Sequence, residues 1–142
     1  MRETLQPFHL AFPVHDLEAA RHFYASVLGC AVGRTDERWI DFNFFGHQIT
    51  AHLVEGGSET ALANPVDDEQ VPSRHFGIIL DMDGWQQLVR RLEEQDADFL
   101  IEPTVRFRGR PGEQATLFIR DPSGNALEFK AFADAGRVFA TD

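Results

Sequence analysis

The sequence has almost no cysteine and no long apolar run. Cys30 is the only cysteine among 142 residues, so no disulfide can form within the chain and no oxidising compartment is needed. No segment reaches the roughly 18 uninterrupted apolar residues of a membrane-spanning helix. The first residues, MRETLQPF, lack the apolar core of a signal peptide. We therefore expect the protein to reside in the cytoplasm.

Basic residues are also scarce. The chain has 13 Lys and Arg against 23 Asp and Glu, which gives a formal net charge of -10. Nucleic acids and anionic membranes are bound through clustered Lys and Arg, so neither is expected as a partner. The remaining composition, 43% hydrophobic with 13 Phe, is sufficient for one well-packed domain.

A pattern of one strand, one helix and three strands occurs twice along the chain. In the first unit a buried strand at 8–14 is followed by a helix that Asp16 caps and Gly29 ends. In the second unit the helix begins at about Asp83, where Asp83 and Gln86 form a variant of the capping box. Period-two apolar runs predict the other strands at 31–35, 39–44, 48–55, 74–80, 99–107, 115–120 and 126–132.

The repeat predicts how the chain is organised. Module 1 covers about 7–55 and module 2 about 74–132, joined by a polar loop at about 56–73 and followed by a tail at 133–142. Because neither module can bury its sheet alone, the two should close on each other. We expect a single α+β domain whose sheets form a curved, partly closed barrel around a cavity, with the helices outside.

Three residues in this pattern suggest a metal site. His9 and His75 lie at the heads of equivalent strands, and Glu128 lies in the last strand. His9 and Glu128 share a strand face with small or polar neighbours, and His75 shares one with Gly77 and Ile79; each lies opposite large apolar side chains. A single histidine in such a strand is usually structural, but the repeated position favours ligands, because two imidazoles and one carboxylate hold an ion such as Fe(II) and leave open positions.

The segments that carry these residues resemble the vicinal oxygen chelate superfamily, which includes glyoxalase I, the fosfomycin- and bleomycin-resistance proteins and the extradiol dioxygenases. The resemblance spans about 8–132 and rests on HLAFPVHDLEAARHFYASVLG, HFGIIL and FIRDPSGNALEF. It implies that His9, His75 and Glu128 bind a divalent metal, with Fe(II) or Mn(II) favoured and Zn(II), Ni(II) or Co(II) as alternatives. It also implies a homodimer.

Other residues are assigned around this centre. His52 lies in the strand equivalent to that of Glu128, in which Thr50 aligns with Glu128 itself; His52 is a fourth ligand, a base or a packed residue, and we favour the base. A substrate carboxylate is anchored by Arg106, Arg108 and Arg110 if these share a strand face. The alternative is a turn, which Gly109 and the following Pro-Gly favour. The stretch 104–121 lacks the His and Tyr of ring-cleaving relatives, and Phe118 stands where the Tyr is expected, beside the substrate. His15, His22 and His47 are expected at the surface.

These assignments leave three functions open. The leading hypothesis is an extradiol-type dioxygenase that uses O₂ and a substrate chelating through vicinal oxygens. A glyoxalase-like lyase or isomerase is the second, and a metal-free module that binds a small molecule is the third.

Overall fold

The computed structural model describes residues 5–55, 63–66, 69–72 and 74–141. The chain divides into two compact units, Met1–Glu59 and Thr60–Asp142. Each unit contains one four-stranded mixed sheet, and the chain therefore has the predicted α+β architecture. Among the described strands, hydrogen bonds do not close the sheets into a barrel, and the enclosed cavity stays a prediction. No helix in the described residues is long and apolar enough to cross a membrane.

In unit 1 the predicted order of elements is confirmed. The elements are β1 (His9–Val14), α1 (Leu17–Arg21) with a π-helical continuation (His22–Val27), β2 (Ala31–Thr35), β3 (Trp39–Phe44) and β4 (His47–Leu53). The sheet order is β1-β4-β3-β2, with β1 parallel to β4 and the other pairs antiparallel.

The local chemistry of unit 1 explains these elements. The side chain of Asp16 accepts a hydrogen bond from the Ala19 amide at 3.0 Å and caps α1. Gly29 has a φ of 83°, which favours glycine and ends the helical segment. Tyr24 is fully buried, and its ring lies 5.3 Å from that of Phe12 and 5.2 Å from that of Phe42. This aromatic cluster binds the helix to the sheet.

Unit 2 repeats the arrangement with an addition. Its elements are β5 (Ala63–Val66), β6 (Glu69–Pro72), β7 (His75–Ile79), α2 (Met82–Glu94), β8 (Phe99–Arg106), β9 (Gln114–Arg120), β10 (Ala126–Phe132) and a 3-10 turn (Ala135–Arg137). The main sheet has the order β7-β10-β9-β8, equivalent to that of unit 1. Strands β5 and β6 form a hairpin within the stretch 56–73, where only a loop was expected.

The start of α2 differs from the prediction. Asp81 caps the helix by accepting a hydrogen bond from the Gly84 amide at 2.7 Å, so the predicted capping box of Asp83 and Gln86 is wrong. Gly84 suits this cap, because a Cβ atom there would lie 2.9 Å from the Asp81 Oδ1 atom.

Helix α2 packs on β10. Trp85, Leu88 and Leu92 are buried, and the indole Nε1 of Trp85 donates a hydrogen bond to the Phe129 carbonyl at 2.9 Å. Because successive strand residues face opposite sides, Glu128 points away from the side chain of Phe129. The core thereby positions the strand that carries Glu128.

Candidate metal centre

His75 and Glu128 are brought together by the parallel pair β7 and β10. The register places His75 opposite Ala126 and Gly77 opposite Glu128, so both side chains lie on one face of the sheet. The Nε2 atom of His75 is 3.6 Å from the Oε1 atom of Glu128. Their side chains are 31% and 17% exposed, so both are reachable from solvent.

Thr116 holds the carboxylate of Glu128 from the neighbouring strand β9. Its hydroxyl donates a hydrogen bond of 2.6 Å to the Oε2 atom. Thr116 is fully buried, and the bond to an ionised acceptor is of the strong, orienting kind. One carboxylate oxygen is therefore fixed, and the other is directed toward His75.

Phe118 packs against the imidazole of His75. It is opposite Glu128 in the register of β9 and β10, and its ring meets the ring of His75 edge-on, with centroids 5.2 Å apart and an interplanar angle of 71°. Phe118 is 2% exposed and packs with Ile101 in a buried cluster. Phe118, the residue predicted to contact substrate, therefore packs beside the His75–Glu128 pair. Its side chain has no hydroxyl.

Gly77 allows the two strands of the pair to come close. A Cβ atom at this position would overlap the backbone carbonyl oxygen of Glu128. Backbone atoms cannot swing aside as a flexible side chain does, so any larger residue would push β7 away from β10. Glycine at this position therefore supports the geometry of His75 and Glu128.

The geometry of the pair fits a divalent ion. Two ligand atoms at 2.0–2.2 Å from a metal are about 3.0 Å apart at a right angle and about 3.4 Å apart at a tetrahedral angle. The observed 3.6 Å needs only a small adjustment. Within the described part of the chain, no group of three His, Cys, Asp or Glu is gathered that could hold a metal. The ligand role of this pair and the three-ligand set with His9 both stay predictions.

His9 and His52 lie in unit 1 on one exposed sheet face. Phe12 and Val14 are buried, whereas His9 is exposed, as the alternation predicts. His9 is opposite Gln48 in β4, and His52 lies four residues further along that strand. At about 3.3 Å per residue, this is a separation of roughly 13 Å along the sheet.

Sequence reasoning missed a polar cluster on the same face. The Thr50 hydroxyl donates a hydrogen bond of 2.6 Å to Oδ1 of Asp41, and the Gln48 amide donates one of 3.3 Å to Oδ2. In the register, Thr50 is opposite Ala11 as Glu128 is opposite Gly77, so the predicted equivalence of Thr50 and Glu128 is confirmed. The alternation in WIDFNF, with Asp41 between buried Ile40 and Phe42, indicates the face on which Asp41 lies but not its hydrogen-bond partners.

The arginines do not share a strand face. Strand β8 ends at Arg106, whose guanidinium lies 5.2 Å from the centroid of the Phe107 ring. Phe107 and Gly109 have φ values of 56° and 78°, and the amide of Arg110 donates to the Phe107 carbonyl at 3.0 Å. Arg108 and Arg110 therefore lie in a turn, and the prediction from Gly109 and Pro-Gly is confirmed.

The remaining histidines divide into two groups. His15 and His22 are exposed, as expected. His47 is not a simple surface residue, because its Nδ1 atom accepts a hydrogen bond of 2.8 Å from the Phe8 amide and connects the start of β4 to the start of β1. His47 is half-buried and begins β4 one residue before the predicted start of that strand at 48.

The chain thus consists of two βαβββ units with equivalent sheet orders, and the second unit carries the oriented His75–Glu128 pair. The profile of the glyoxalase/bleomycin resistance protein/dioxygenase superfamily matches residues 6–129, and the chain belongs to this superfamily. The superfamily includes enzymes, and its members typically bind a divalent metal. No curated protein matches the chain.

Solved structures agree with this assignment. A glyoxalase/bleomycin resistance protein/dioxygenase from Alicyclobacillus acidocaldarius is 34% identical, with 98% of this chain and 100% of that chain covered and a TM-score of 0.83. The fosfomycin resistance protein FosX from Listeria monocytogenes is 14% identical, with 97% and 100% covered and a TM-score of 0.68. A glyoxalase family protein from Bacillus anthracis is 18% identical, with 93% and 99% covered and a TM-score of 0.65. The last two show a similar fold.

Proposed function

We propose that the protein is a metal-dependent enzyme whose small-molecule substrate chelates through two adjacent oxygens. The observation that carries the proposal is the His75–Glu128 pair, 3.6 Å apart, with the carboxylate oriented by Thr116. His9 is the third ligand in this proposal, on the resemblance to the superfamily. Three protein ligands leave positions open for substrate, which is the arrangement that catalysis needs.

Each residue has a defined task in this proposal. His75 and Glu128 hold the ion, and Thr116 and Phe118 restrict the motion of the carboxylate and the imidazole. A bound divalent ion acts as a Lewis acid that favours ionisation of a substrate hydroxyl and holds both oxygens in place. The exposed face of the pair admits the substrate, since both side chains retain solvent access.

For the reaction we favour an extradiol-type dioxygenation with Fe(II) or Mn(II) and O₂. His52 is the base that accepts the proton from the substrate hydroxyl. Its exposure allows exchange of that proton with water. Its offset of four residues from the position opposite His9, roughly 13 Å along the sheet, argues against a role as a ligand next to His9.

A glyoxalase-like lyase or isomerase is the second candidate. The observation in its favour is Phe118, which packs against His75 where the ring-cleaving relatives have a Tyr. A phenyl ring supplies no proton, so the familiar route of ring cleavage lacks one acid. Lyase chemistry needs no O₂ and would be supported by a preference for Zn(II), Ni(II) or Co(II).

The deciding experiment is elemental analysis of protein purified without oxygen. We expect near-stoichiometric Fe or Mn in the wild type and its loss in His9→Ala, His75→Ala and Glu128→Ala. His22→Ala is the matched control, because His22 is exposed on the first helix and should not alter the metal content. If the bound metal is Zn or Ni, the lyase hypothesis replaces the oxygenase hypothesis. No specific metal after reconstitution would overturn the proposal and favour a metal-free binding protein.

A further inference from the structure

A groove lies between the turn after β8 and the C-terminal segment of unit 2. Its volume is about 410 Å³, within the range of small-molecule sites. Apolar walls come from Phe107, Pro111, Phe132 and Val138, and two guanidinium side chains, of Arg110 and Arg137, also line it. The groove therefore combines an apolar surface with positive charge.

The groove continues the sheet face that carries the His75–Glu128 pair. Phe132 lies four residues after Glu128 on β10, which puts the two side chains on one face at a separation of roughly 13 Å. Lys130 lies between them on the same face, and its ammonium is 6.0 Å from the centroid of the Phe132 ring. A single small molecule of extended shape can span this distance.

Positive charge is concentrated here in a chain that is otherwise acidic. The formal net charge is -10, and Lys130 is the only lysine. Two carboxylates close to these arginines in sequence are engaged. Asp134 accepts a hydrogen bond from the Gly136 amide and lies 3.9 Å from Nε of Arg137, and Glu113 accepts one from the Gly109 amide. The Asp134 side chain is 71% exposed, so water weakens its attraction for Arg137.

We propose that this groove binds the anionic end of the substrate, a carboxylate or a phosphate carried on an apolar body. The proposal rests on the proposed function, because the other end of the same molecule would present its two oxygens at His75 and Glu128. Arg110 and Arg137 bind the anion through guanidinium hydrogen bonds, and Phe107 and Phe132 cover the apolar body. The substrate class is thus an amphipathic anion.

Calorimetric titration of the metal-free protein tests the groove alone. The probes are octanoate, octyl phosphate and octanol, which share one apolar chain and differ in the head group. We expect octanoate or octyl phosphate to bind at least about tenfold more tightly than octanol, as for a hydrogen bond to a charged group. The anion that binds more tightly identifies the head group that the groove prefers.

Variants locate the binding. Arg110→Ala and Arg137→Ala should each weaken binding of the preferred anion about tenfold, because each removes one guanidinium. Arg108→Ala is the matched control, since Arg108 lies in the same turn but does not line the groove. Equal binding of octanol, no binding of either anion, or an equal loss in Arg108→Ala would overturn the proposal.

Metal content separates this proposal from the proposed function. Arg110→Ala should retain the metal of the wild type, because Arg110 is in the turn after β8, outside the His75–Glu128 pair. If the wild type binds a metal but neither anion, the groove proposal is refuted and the proposed function stands. Anion binding without a metal would refute the catalytic proposal and, with it, the assignment of the groove to a substrate.

Discussion

The two units have the same sheet order and register but arrange their carboxylates differently. In unit 1 the carboxylate of Asp41 comes from β3, and both its oxygens accept hydrogen bonds, from Thr50 and Gln48. In unit 2 the carboxylate of Glu128 comes from β10; Thr116 holds one oxygen, and the other faces His75. The comparison teaches that two equivalent sheets can fix both oxygens of one carboxylate and leave one oxygen of the other directed toward a histidine.

The largest effect should separate the two carboxylates. Glu128→Gln should reduce metal affinity by more than about 100-fold. Changing a residue that only hydrogen-bonds a ligand lowers metal affinity about 10- to 100-fold, so changing the proposed ligand itself should lower it further. Asp41→Asn, of matched chemistry, should leave metal affinity unchanged. Both are measured by metal titration under anaerobic conditions. Equal losses in the two variants would show that Asp41 is also a ligand and that the comparison is wrong.

The next effect comes from Gly77, which lies opposite Glu128 in the neighbouring strand. Gly77→Ala should lower the free energy of unfolding by about 2–4 kcal/mol, because its Cβ atom would overlap the Glu128 carbonyl. Metal affinity should fall with it, since β7 would move from β10.

The equivalent residue of unit 1 is Ala11, opposite Thr50. Ala11→Gly should cost only about 0.5–1 kcal/mol, from added backbone freedom. Urea unfolding measures both variants. A Gly77→Ala variant as stable as the wild type would show that the strands have room to separate.

Removing one hydroxyl from each unit should have a smaller effect on the metal. Thr116→Val leaves the Oε2 atom of Glu128 without its donor and should weaken metal binding about 10- to 100-fold. Thr50→Val removes the equivalent bond to Asp41 and should leave metal binding unchanged. If Thr116→Val binds metal as the wild type does, orientation of Glu128 by Thr116 is unimportant.

The sequence was sufficient for much of this comparison because period-two alternation and the repeat determine which residues share a face. It predicted the faces of His9, His75 and Glu128 and the equivalence of Thr50 and Glu128. It did not predict Thr116 or Asp41 as partners, because a cross-strand hydrogen bond depends on register and rotamer. The start of α2 was misplaced since both Asp81 and Asp83 are good caps, and only the backbone at Asp81 is extended.

The smallest effect concerns the helix caps, which both units use in the same way. Asp16 and Asp81 accept hydrogen bonds of 3.0 and 2.7 Å from amides three residues later. Asp16→Ala and Asp81→Ala should each lower the free energy of unfolding by about 1 kcal/mol. Asp83→Ala is the control and should have little effect, because Asp81 and not Asp83 caps α2. Urea unfolding measures the three variants. If Asp83→Ala lowers the free energy of unfolding as much as Asp81→Ala does, the capping box predicted from the sequence is restored.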